Sequence, residues 1–326
     1  MNDPLLPPPP REAAFDPNLD AWVLSRYADV LAALREPALW PVGPRKDKNL
    51  KIPDAAAQQA LRTQVLEAYA SPRLNDWQSR MDAIAVTSDP DDLVSDVIEP
   101  WCLTAAEIVT GSDPADSPRL LSAARIISEA AASPGAETHA ADAELQEYFR
   151  NSPLPMAGPV FVAISRTVAC LLASGWLALL RHPDQLALLH ANPELVPKTV
   201  EEILRYASLP QSIFRRASKT VVISGTEIAE GDRVVLRLAL ANRDPLQFSN
   251  PDCFDLARRG PAHLSLGFGP HSCVGAALIR MTVAAVTRVF VSRFAGFKLI
   301  EPVEWTGGEG FRWPGRLSAS RRNPRL

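Results

Sequence analysis

The chain has 326 residues, of which 47% are hydrophobic and 22% charged, and its formal net charge is −3. This composition is typical of a globular protein with a large core, and the charge balance excludes a strongly basic nucleic-acid-binding surface. Cys102, Cys170, Cys253 and Cys273 are widely spaced without a CxxC pair, so we expect neither a zinc site nor a disulfide framework. Free cysteines suit a reducing compartment, which predicts a cytoplasmic location.

Residues 1–16 are predicted to form an extended arm, because they include four consecutive prolines and lack the apolar core of a signal peptide. Neither a repeat nor a linker divides residues 17–326, so we predict one domain there. The stretch 159–180 is apolar and long enough to span a membrane, but Arg166 lies near its middle. Arginine at bilayer depth is costly, and this predicts a buried helix with no membrane partner.

In chain order, the residue pattern predicts mostly helices. A short strand at 22–24 precedes helical apolar spacing at 30–34. Further helices are predicted over the ranges 58–70, 101–110, 160–180, 196–206 and 276–290. Two β-rich runs within 221–238, separated by residues 229–232, predict a hairpin, and the tail after Phe297 suggests short strands and turns. The fold class is therefore mainly α with a minor β-sheet.

The most informative segment is the loop 266–275, with the sequence LGFGPHSCVG. Its three glycines allow the backbone to approach a flat ligand closely. Cys273 precedes a predicted helix whose N-terminal amides favour a thiolate, and thiolate pushes electron density onto haem iron. An isolated cysteine is usually a packing residue, but the ten-residue pattern favours a haem ligand here.

This loop resembles the cysteine-ligand loop of the cytochrome P450 superfamily, and three other segments agree in the same order. Glu202 and Arg205 match the family's Glu-x-x-Arg pair, which places both side chains on one helix face. Residues 214–217 (FRRA) and 241–245 (ANRDP) are similar to further family segments. The resemblance implies a cytochrome P450-like fold that holds heme b (iron protoporphyrin IX) between the long central helix and the loop, with Cys273 as the iron ligand.

The resemblance also implies the residues that contact the haem. His271, Arg215 and Arg62 are expected to bind the propionates. The other expected contacts are Leu266, Phe268, Gly269, Gly275 and Ala163.

The central helix departs from the family pattern of a glycine, an acid and an alcohol that relay protons on the distal side of the haem. The aligned residues are Ile164, Arg166 and Thr167, so only the alcohol is kept. An arginine is a fixed cation and cannot deliver protons as a carboxylic acid does. We expect Thr167 and Arg166 to line the distal side, where Arg166 either binds a substrate carboxylate or pairs with a neighbouring acid or propionate.

Three other positions differ from the family. Leu266 stands where phenylalanine is usual, and Gln58 stands where a propionate-binding histidine is typical. Cys253 occupies a position that usually bears the arginine locking the Glu202–Arg205 pair. Together these changes suggest relaxed selection or a changed redox role.

The chain is also short, because family members usually carry more sequence before Arg62 and between Arg62 and Thr167. We therefore expect reduced N-terminal and lid regions. An open pocket predicts a bulky or carrier-bound substrate, or a partner protein that completes the pocket roof.

The leading functional hypothesis is a haem-thiolate oxidoreductase, a monooxygenase or peroxygenase, acting on a small or medium apolar metabolite. Electrons would come from a separate ferredoxin or flavin reductase, unless peroxide is the oxidant. One alternative is a haem-thiolate isomerase or dehydratase that needs no oxygen activation. The other is a non-catalytic scaffold that retains the fold.

Overall fold

The computed structural model describes most of the chain. The described residues are Pro9 and the ranges 11–43, 55–86, 90–130, 135–294, 296–308 and 311–321. Most of the predicted proline-rich arm lies outside the described residues, so its extended conformation stays a prediction.

Helices dominate the described chain, as predicted. They are α1 (Tyr27–Arg35), α2 (Ala55–Ala68), α3 (Ser71–Asp82), α4 (Glu99–Thr110), α5 (Ser117–Glu129), α6 (Ala136–Tyr148), α7 (Ala157–Val162), α8 (Ala169–Arg181), α9 (Pro183–Ala191), α10 (Val196–Ala207), α11 (Leu238–Ala241) and α12 (Ala276–Phe294). Two π-helical segments, Val94–Ile98 and Ala163–Val168, adjoin them. The second joins α7 to α8, so Ala157–Arg181 is one continuous central helix.

The central helix confirms the prediction of a buried apolar helix. By length and composition it could span a membrane, and 78% of its apolar window is buried inside the protein. Ring centroids of Trp176 and Phe290 lie 4.4 Å apart where α8 packs against α12. A Cβ on Gly175 would lie 2.7 Å from Ile203 Cγ2, so glycine is required for α8 to approach α10 this closely.

The helices α9 and α3 are among those that the sequence-based prediction missed. Pro183 was interpreted only as the end of the central helix, but it also stands in the first turn of α9, where its missing N–H costs nothing. The helix α3 is mostly polar and buries little beyond Trp77 and Met81, which are four residues apart on one face. Its apolar pattern was therefore too sparse to recognise.

The strands form one larger sheet and three small pairs in the described residues. They are β1 (Ala14–Asp16), β2 (Ala21–Leu24), β3 (Leu39–Val42), β4 (Ile213–Ala217), β5 (Val221–Ile223), β6 (Thr226–Ile228), β7 (Arg233–Leu236), β8 (Lys298–Leu299), β9 (Glu304–Gly308), β10 (Phe311–Arg316) and β11 (Ala319–Ser320). The larger sheet has the order β1-β2-β7-β4-β3, with β2 and β7 parallel. The first two strands of the chain, β1 and β2, are therefore part of this sheet.

The predicted hairpin over 221–238 is wrong in its pairing. The strands β5 and β6 pair with each other around Ser224 and Gly225, whose φ angles are +50° and +83°. That tight turn closes the hairpin before residue 229, and β7 leaves it to pair with β2 and β4. The Ser-Gly turn was the overlooked signal.

The region between α4 and the central helix contains two helices among the described residues, α5 and α6, which pack against each other. The weakly patterned stretch 112–138 therefore does form helix in part.

Candidate functional site

Cys273 sits at the end of a compact loop that leads into α12. Its amide donates to the Leu266 carbonyl at 2.8 Å, and the Gly267 amide donates to the Leu264 carbonyl at 2.8 Å. Gly267 and Gly269 have φ angles of +69° and +71°, a backbone region that other residues rarely adopt. These bonds hold the sulfur-bearing residue three positions before the first residue of α12.

Gly269 fixes the loop against the N-terminal part of the chain. A Cβ at this position would lie 2.7 Å from the Leu34 carbonyl oxygen in α1. Any other residue at position 269 would push the loop away from α1 and weaken the packing between them.

The surroundings of Cys273 act on its pKa in opposite directions. Burial raises the pKa of the Cys273 thiol, whereas the Gly275 amide and the charges of Arg62 and Arg280 lower it, and burial prevails. A bound metal ion deprotonates a coordinating thiol regardless of this balance. The donors and cations already in place would then stabilise the thiolate.

The other buried cysteines have a different character. Burial raises the pKa of Cys102, and burial raises that of Cys170 to about 12. Both pack in the core as inert thiols, whereas Cys253 is exposed. Cys273 is the cysteine that combines partial accessibility with nearby cations.

Three basic side chains gather beside the cysteine loop. Arg215 is 6% exposed. Within the described residues, its Nη1 donates a hydrogen bond to the Phe214 carbonyl at 3.0 Å. Burial lowers the pKa of Arg215 to about 10. Burial and the charges of Arg215 and Arg62 lower the pKa of His271. Arg62 donates to the Ser272 carbonyl at 2.6 Å and to its hydroxyl at 2.8 Å.

A buried guanidinium without a carboxylate is costly unless a ligand supplies the anion. The arrangement of Arg215, Arg62 and His271 therefore fits a dianionic ligand, as the two propionates of heme b would be. The sequence-based prediction had grouped these three residues, and the structure does bring them together.

A cleft of about 490 Å³ opens next to this basic cluster. Its walls include Trp40, Arg62, Met156, His271 and Val274. The ring centroids of Trp40 and His271 are 5.2 Å apart, so the indole packs against the imidazole. Sequence reasoning missed Trp40 and Met156, since neither belongs to a motif. Gln58, the unusual residue in α2, also lines this cleft.

The central helix presents a second wall through its π-helical segment. Ile164, Arg166 and Val168 are buried in the protein, whereas Ala163 and Thr167 retain partial exposure. The latter two are four residues apart and share one helix face. This segment packs against α12, the helix that follows Cys273. Small and hydroxyl side chains are thus on the open side of the helix.

Arg166 points into the protein, where it pairs with Glu99 at the start of α4. Glu99 also accepts from Arg125 Nη2 at 2.7 Å, and Glu129 lies 3.9 Å from Arg166 Nη2. The Arg166 side chain is 4% exposed. Of the two interpretations from the sequence, pairing with a neighbouring acid is what the structure shows. The expectation that Arg166 holds a substrate carboxylate is corrected, because Glu99 already occupies the guanidinium.

The Glu202–Arg205 pair is buried and bidentate, with both N···O distances at 2.8 Å. Arg258 completes it by donating to Glu202 Oε1 at 3.2 Å and to the Cys253 carbonyl at 2.7 Å. Although Cys253 stands where the locking arginine is usual, the pair is therefore not left without a locking cation. Arg258, five residues later, supplies that cation, and Cys253 contributes a backbone carbonyl.

Two other expected haem contacts differ in their surroundings. Leu266 is half-buried and packs against the main core. Phe268 is 42% exposed, and the Arg35 guanidinium lies 4.9 Å from its ring centroid. The outward position of Phe268 makes it a surface residue of the loop in this structure. Gly275 lies against the sulfur, since a Cβ there would be 3.9 Å from Cys273 Sγ.

This site fits a haem-thiolate protein. It combines a cysteine on a glycine-rich loop, a basic cluster suited to an anionic ligand, and a central helix with an open small-residue face. Residues 189–301 match the family described as Cytochrome P450. The chain belongs to the cytochrome P450 superfamily, whose cofactor is heme b.

Comparisons with individual proteins agree with this family. The biotin biosynthesis cytochrome P450 of Bacillus subtilis is 40% identical over 144 residues, which is 44% of this chain and 36% of that protein. The similarity thus spans about a third of the relative's own length.

Solved structures cover more of the chain. The LnmA cytochrome P450 hydroxylase from the leinamycin biosynthetic pathway of Streptomyces atroolivaceus has a TM-score of 0.78 and 29% identity, over 92% of this chain and 90% of that one. P450BioI, crystallised with an acyl carrier protein ligated to hexadec-9Z-enoic acid, has a TM-score of 0.80 and 22% identity, over 92% of both chains. The second comparison supports the fold alone.

Proposed function

We propose that this protein is a haem-thiolate monooxygenase that oxidises a small or medium apolar metabolite. The single observation that carries the proposal is the buried Arg215 beside His271 and Arg62, which has no carboxylate partner among the described residues. A basic cluster of this kind next to Cys273 suits the propionates of a haem. The hydroxylase relative with 29% identity supports the reaction class.

Each residue has a defined task in this proposal. The bound haem supplies the oxidising chemistry, and the protein supplies binding, orientation and electrostatics. Cys273 would ligate the iron, Arg215 and Arg62 would neutralise the propionates, and the neutral imidazole of His271 would donate a hydrogen bond to one of them. Thr167 presents a hydroxyl on the open face of the central helix, where it can hold and pass a proton. Ala163, one turn earlier on the same face, is small and would leave space for a substrate beside Thr167.

Arg166 changes the proton supply on the distal side. Since its charge is fixed and neutralised by Glu99, Thr167 has no acid as its neighbour in the helix. We propose that protons reach Thr167 from water in the open pocket. Use of peroxide as the oxidant is favoured by the same feature, because peroxide brings its own protons and electrons.

A second candidate function is a haem-thiolate isomerase or dehydratase. The replacement of the relay acid by the buried Arg166 favours it, since such reactions need no proton delivery to oxygen. The two functions share every haem contact and differ in whether an oxidant is consumed.

The proposed partners follow from the short region before the central helix. Only α5 and α6 stand between α4 and that helix in the described residues, which favours an open pocket and a bulky or carrier-bound substrate. The P450BioI complex is a precedent in the same fold for a carrier-bound acyl chain. A ferredoxin or flavin reductase would supply electrons when oxygen is the oxidant.

The test is a carbon monoxide difference spectrum of the reduced, haem-loaded protein, followed by turnover with oxygen and with peroxide. A strongly red-shifted Soret band that is lost in Cys273→Ala supports haem-thiolate binding. Turnover without consumption of oxygen or peroxide would favour the isomerase. A protein that takes up no haem would leave the scaffold alternative.

A further inference from the structure

Glu201 joins α10 to α12 on the cysteine side of the protein. Arg280 donates to it through Nε at 2.6 Å and through Nη2 at 3.1 Å, so the contact is bidentate. Its neighbour Glu202 faces Arg205 and Arg258 instead, since adjacent residues on a helix point about 100° apart. Two consecutive carboxylates thus serve two separate cation groups.

His263 holds the other side of Glu201. The imidazole Nε2 lies 3.2 Å from Glu201 Oε2, and the His263 side chain is 4% exposed. The Ser265 amide donates to Nδ1 at 3.2 Å, which places the ring proton of a neutral imidazole on Nε2, toward the carboxylate. This contact is electrostatic rather than a well-aligned hydrogen bond. Glu201 therefore lies between the buried ring of His263 and the guanidinium of Arg280.

Arg280 lies close enough to Cys273 for their charges to interact. It stands on the second turn of α12, which begins three residues after Cys273. At about 1.5 Å per residue, its Cα is about 6 Å along the axis from the first residue of the helix. Burial raises the pKa of Cys273, and the charge of Arg280 is among the effects that lower it. The pKa of Arg280 is raised mainly by its hydrogen bond to Glu201, with a smaller contribution from Cys273.

We propose that Glu201 sets the electron affinity of the haem–Cys273 centre by partly neutralising Arg280 and holding its side chain in place on the second turn of α12, the helix that follows Cys273. The inference rests on the proposed haem-thiolate function. Glu201 and His263 are positioning residues, because they act through Arg280 and touch neither the sulfur nor the substrate pocket. A cleft of about 240 Å³ beside Glu201 and His263 gives water access to this group.

Two substitutions of opposite sign test the proposal. Glu201→Gln removes a negative charge and leaves Arg280 uncompensated, so the ferrous state, which carries one more electron, is favoured. At a fixed applied potential we expect the ferrous-to-ferric ratio to rise on the order of threefold. Arg280→Gln removes the positive charge, and the same ratio is expected to fall.

The measurement is a spectroelectrochemical titration of the haem-loaded full chain. Asp82→Asn is the matched control. Asp82 of α3 forms an ion pair at 3.0 Å with Arg288, which lies on α12 like Arg280 but two turns further from Cys273. The two ion pairs have similar exposure. The ferrous-to-ferric ratio of Asp82→Asn is expected to equal that of the wild type.

The outcomes separate this inference from the proposed function. A wild type without a thiolate spectrum would refute the proposed function, and the inference would fall with it. A thiolate spectrum with equal ratios in the wild type and Glu201→Gln overturns the inference alone. Equal shifts in Glu201→Gln and Asp82→Asn overturn it as well, because the effect would then come from overall surface charge.

Discussion

Arg166 of the central helix and Glu99 of α4 form a buried ion pair that ties these two helices together. Each partner adjoins or lies within a π-helical segment, Val94–Ile98 before Glu99 and Ala163–Val168 around Arg166. Such segments carry one extra residue per turn and redirect the side chains that follow. Both charges of the pair thus lie at places where the regular α-helical geometry changes.

Removing the acid of this pair is expected to destabilise the protein strongly. Glu99→Gln leaves the Arg166 charge buried without its main partner, and we expect the free energy of unfolding to fall by about 2 to 3 kcal/mol. Urea denaturation measures it. The control is Glu144→Gln, which breaks the Arg119–Glu144 pair, whose side chains are 51% and 37% exposed, and should cost below about 1 kcal/mol. Equal losses in both variants would contradict a special role for burial.

The pair also shows what sequence can predict. The fixed charge of Arg166 at an acid position is visible in the sequence and predicted either a ligand or an acid partner. Glu99 is 67 residues earlier in the chain, and no pattern connects the two. Only packing of α4 on the central helix decides which anion Arg166 meets.

Other contacts between distant parts of the chain were also beyond prediction from the sequence. The cysteine loop, its glycines and the buried Glu202–Arg205 pair were predicted because local spacing determines them. Arg258 was missed because its role depends on how the segment after α11 folds back onto α10. Trp40 was missed because its contact with His271 spans two distant parts of the chain.

Replacing Arg215 is expected to separate haem binding from stability. Arg215→Met removes a buried charge without a carboxylate partner in the described residues, so the haem-free protein should become more stable, by about 1 kcal/mol. Haem affinity should fall about tenfold, because a charge-assisted contact with a propionate is lost.

Haem titration and urea denaturation of the haem-free form measure these two effects. Arg216→Met is the matched control, since neighbouring residues of β4 point to opposite faces of the sheet, and its haem affinity should be unchanged. An Arg215→Met variant with wild-type haem affinity would remove Arg215 from the propionate site.

Arg258 is expected to matter more than Cys253. Arg258→Met removes the second cation on Glu202 together with three backbone contacts, to the carbonyls of Ser249, Asn250 and Cys253. We expect a loss of about 2 to 3 kcal/mol in the free energy of unfolding. Cys253→Ser keeps the backbone carbonyl and should change stability by below about 0.5 kcal/mol. The reverse order in thermal or urea unfolding would restore position 253 as the critical one.

The lowered pKa of Glu201 should make the stability of the protein depend on pH. Burial would raise its pKa, but His263 and Arg280 lower it from the ordinary 4.5 to about 2. A carboxylate with a lowered pKa in the folded state stabilises the protein above its unfolded pKa, and this contribution is lost as the pH falls through the folded pKa. The full shift would correspond to about 3 kcal/mol. Because the Glu201 side chain is 45% exposed, screening reduces this to about 1 kcal/mol.

Glu201→Gln should therefore be about 1 kcal/mol less stable than the wild type at pH 6, and the difference should shrink between pH 4.5 and 2. Urea denaturation at a series of pH values measures the difference. Asp82→Asn again serves as the control, because it removes the carboxylate that pairs with Arg288 of α12. A gap between the wild type and Glu201→Gln that stays constant down to pH 2 would show that packing, rather than the charge of Glu201, causes the loss.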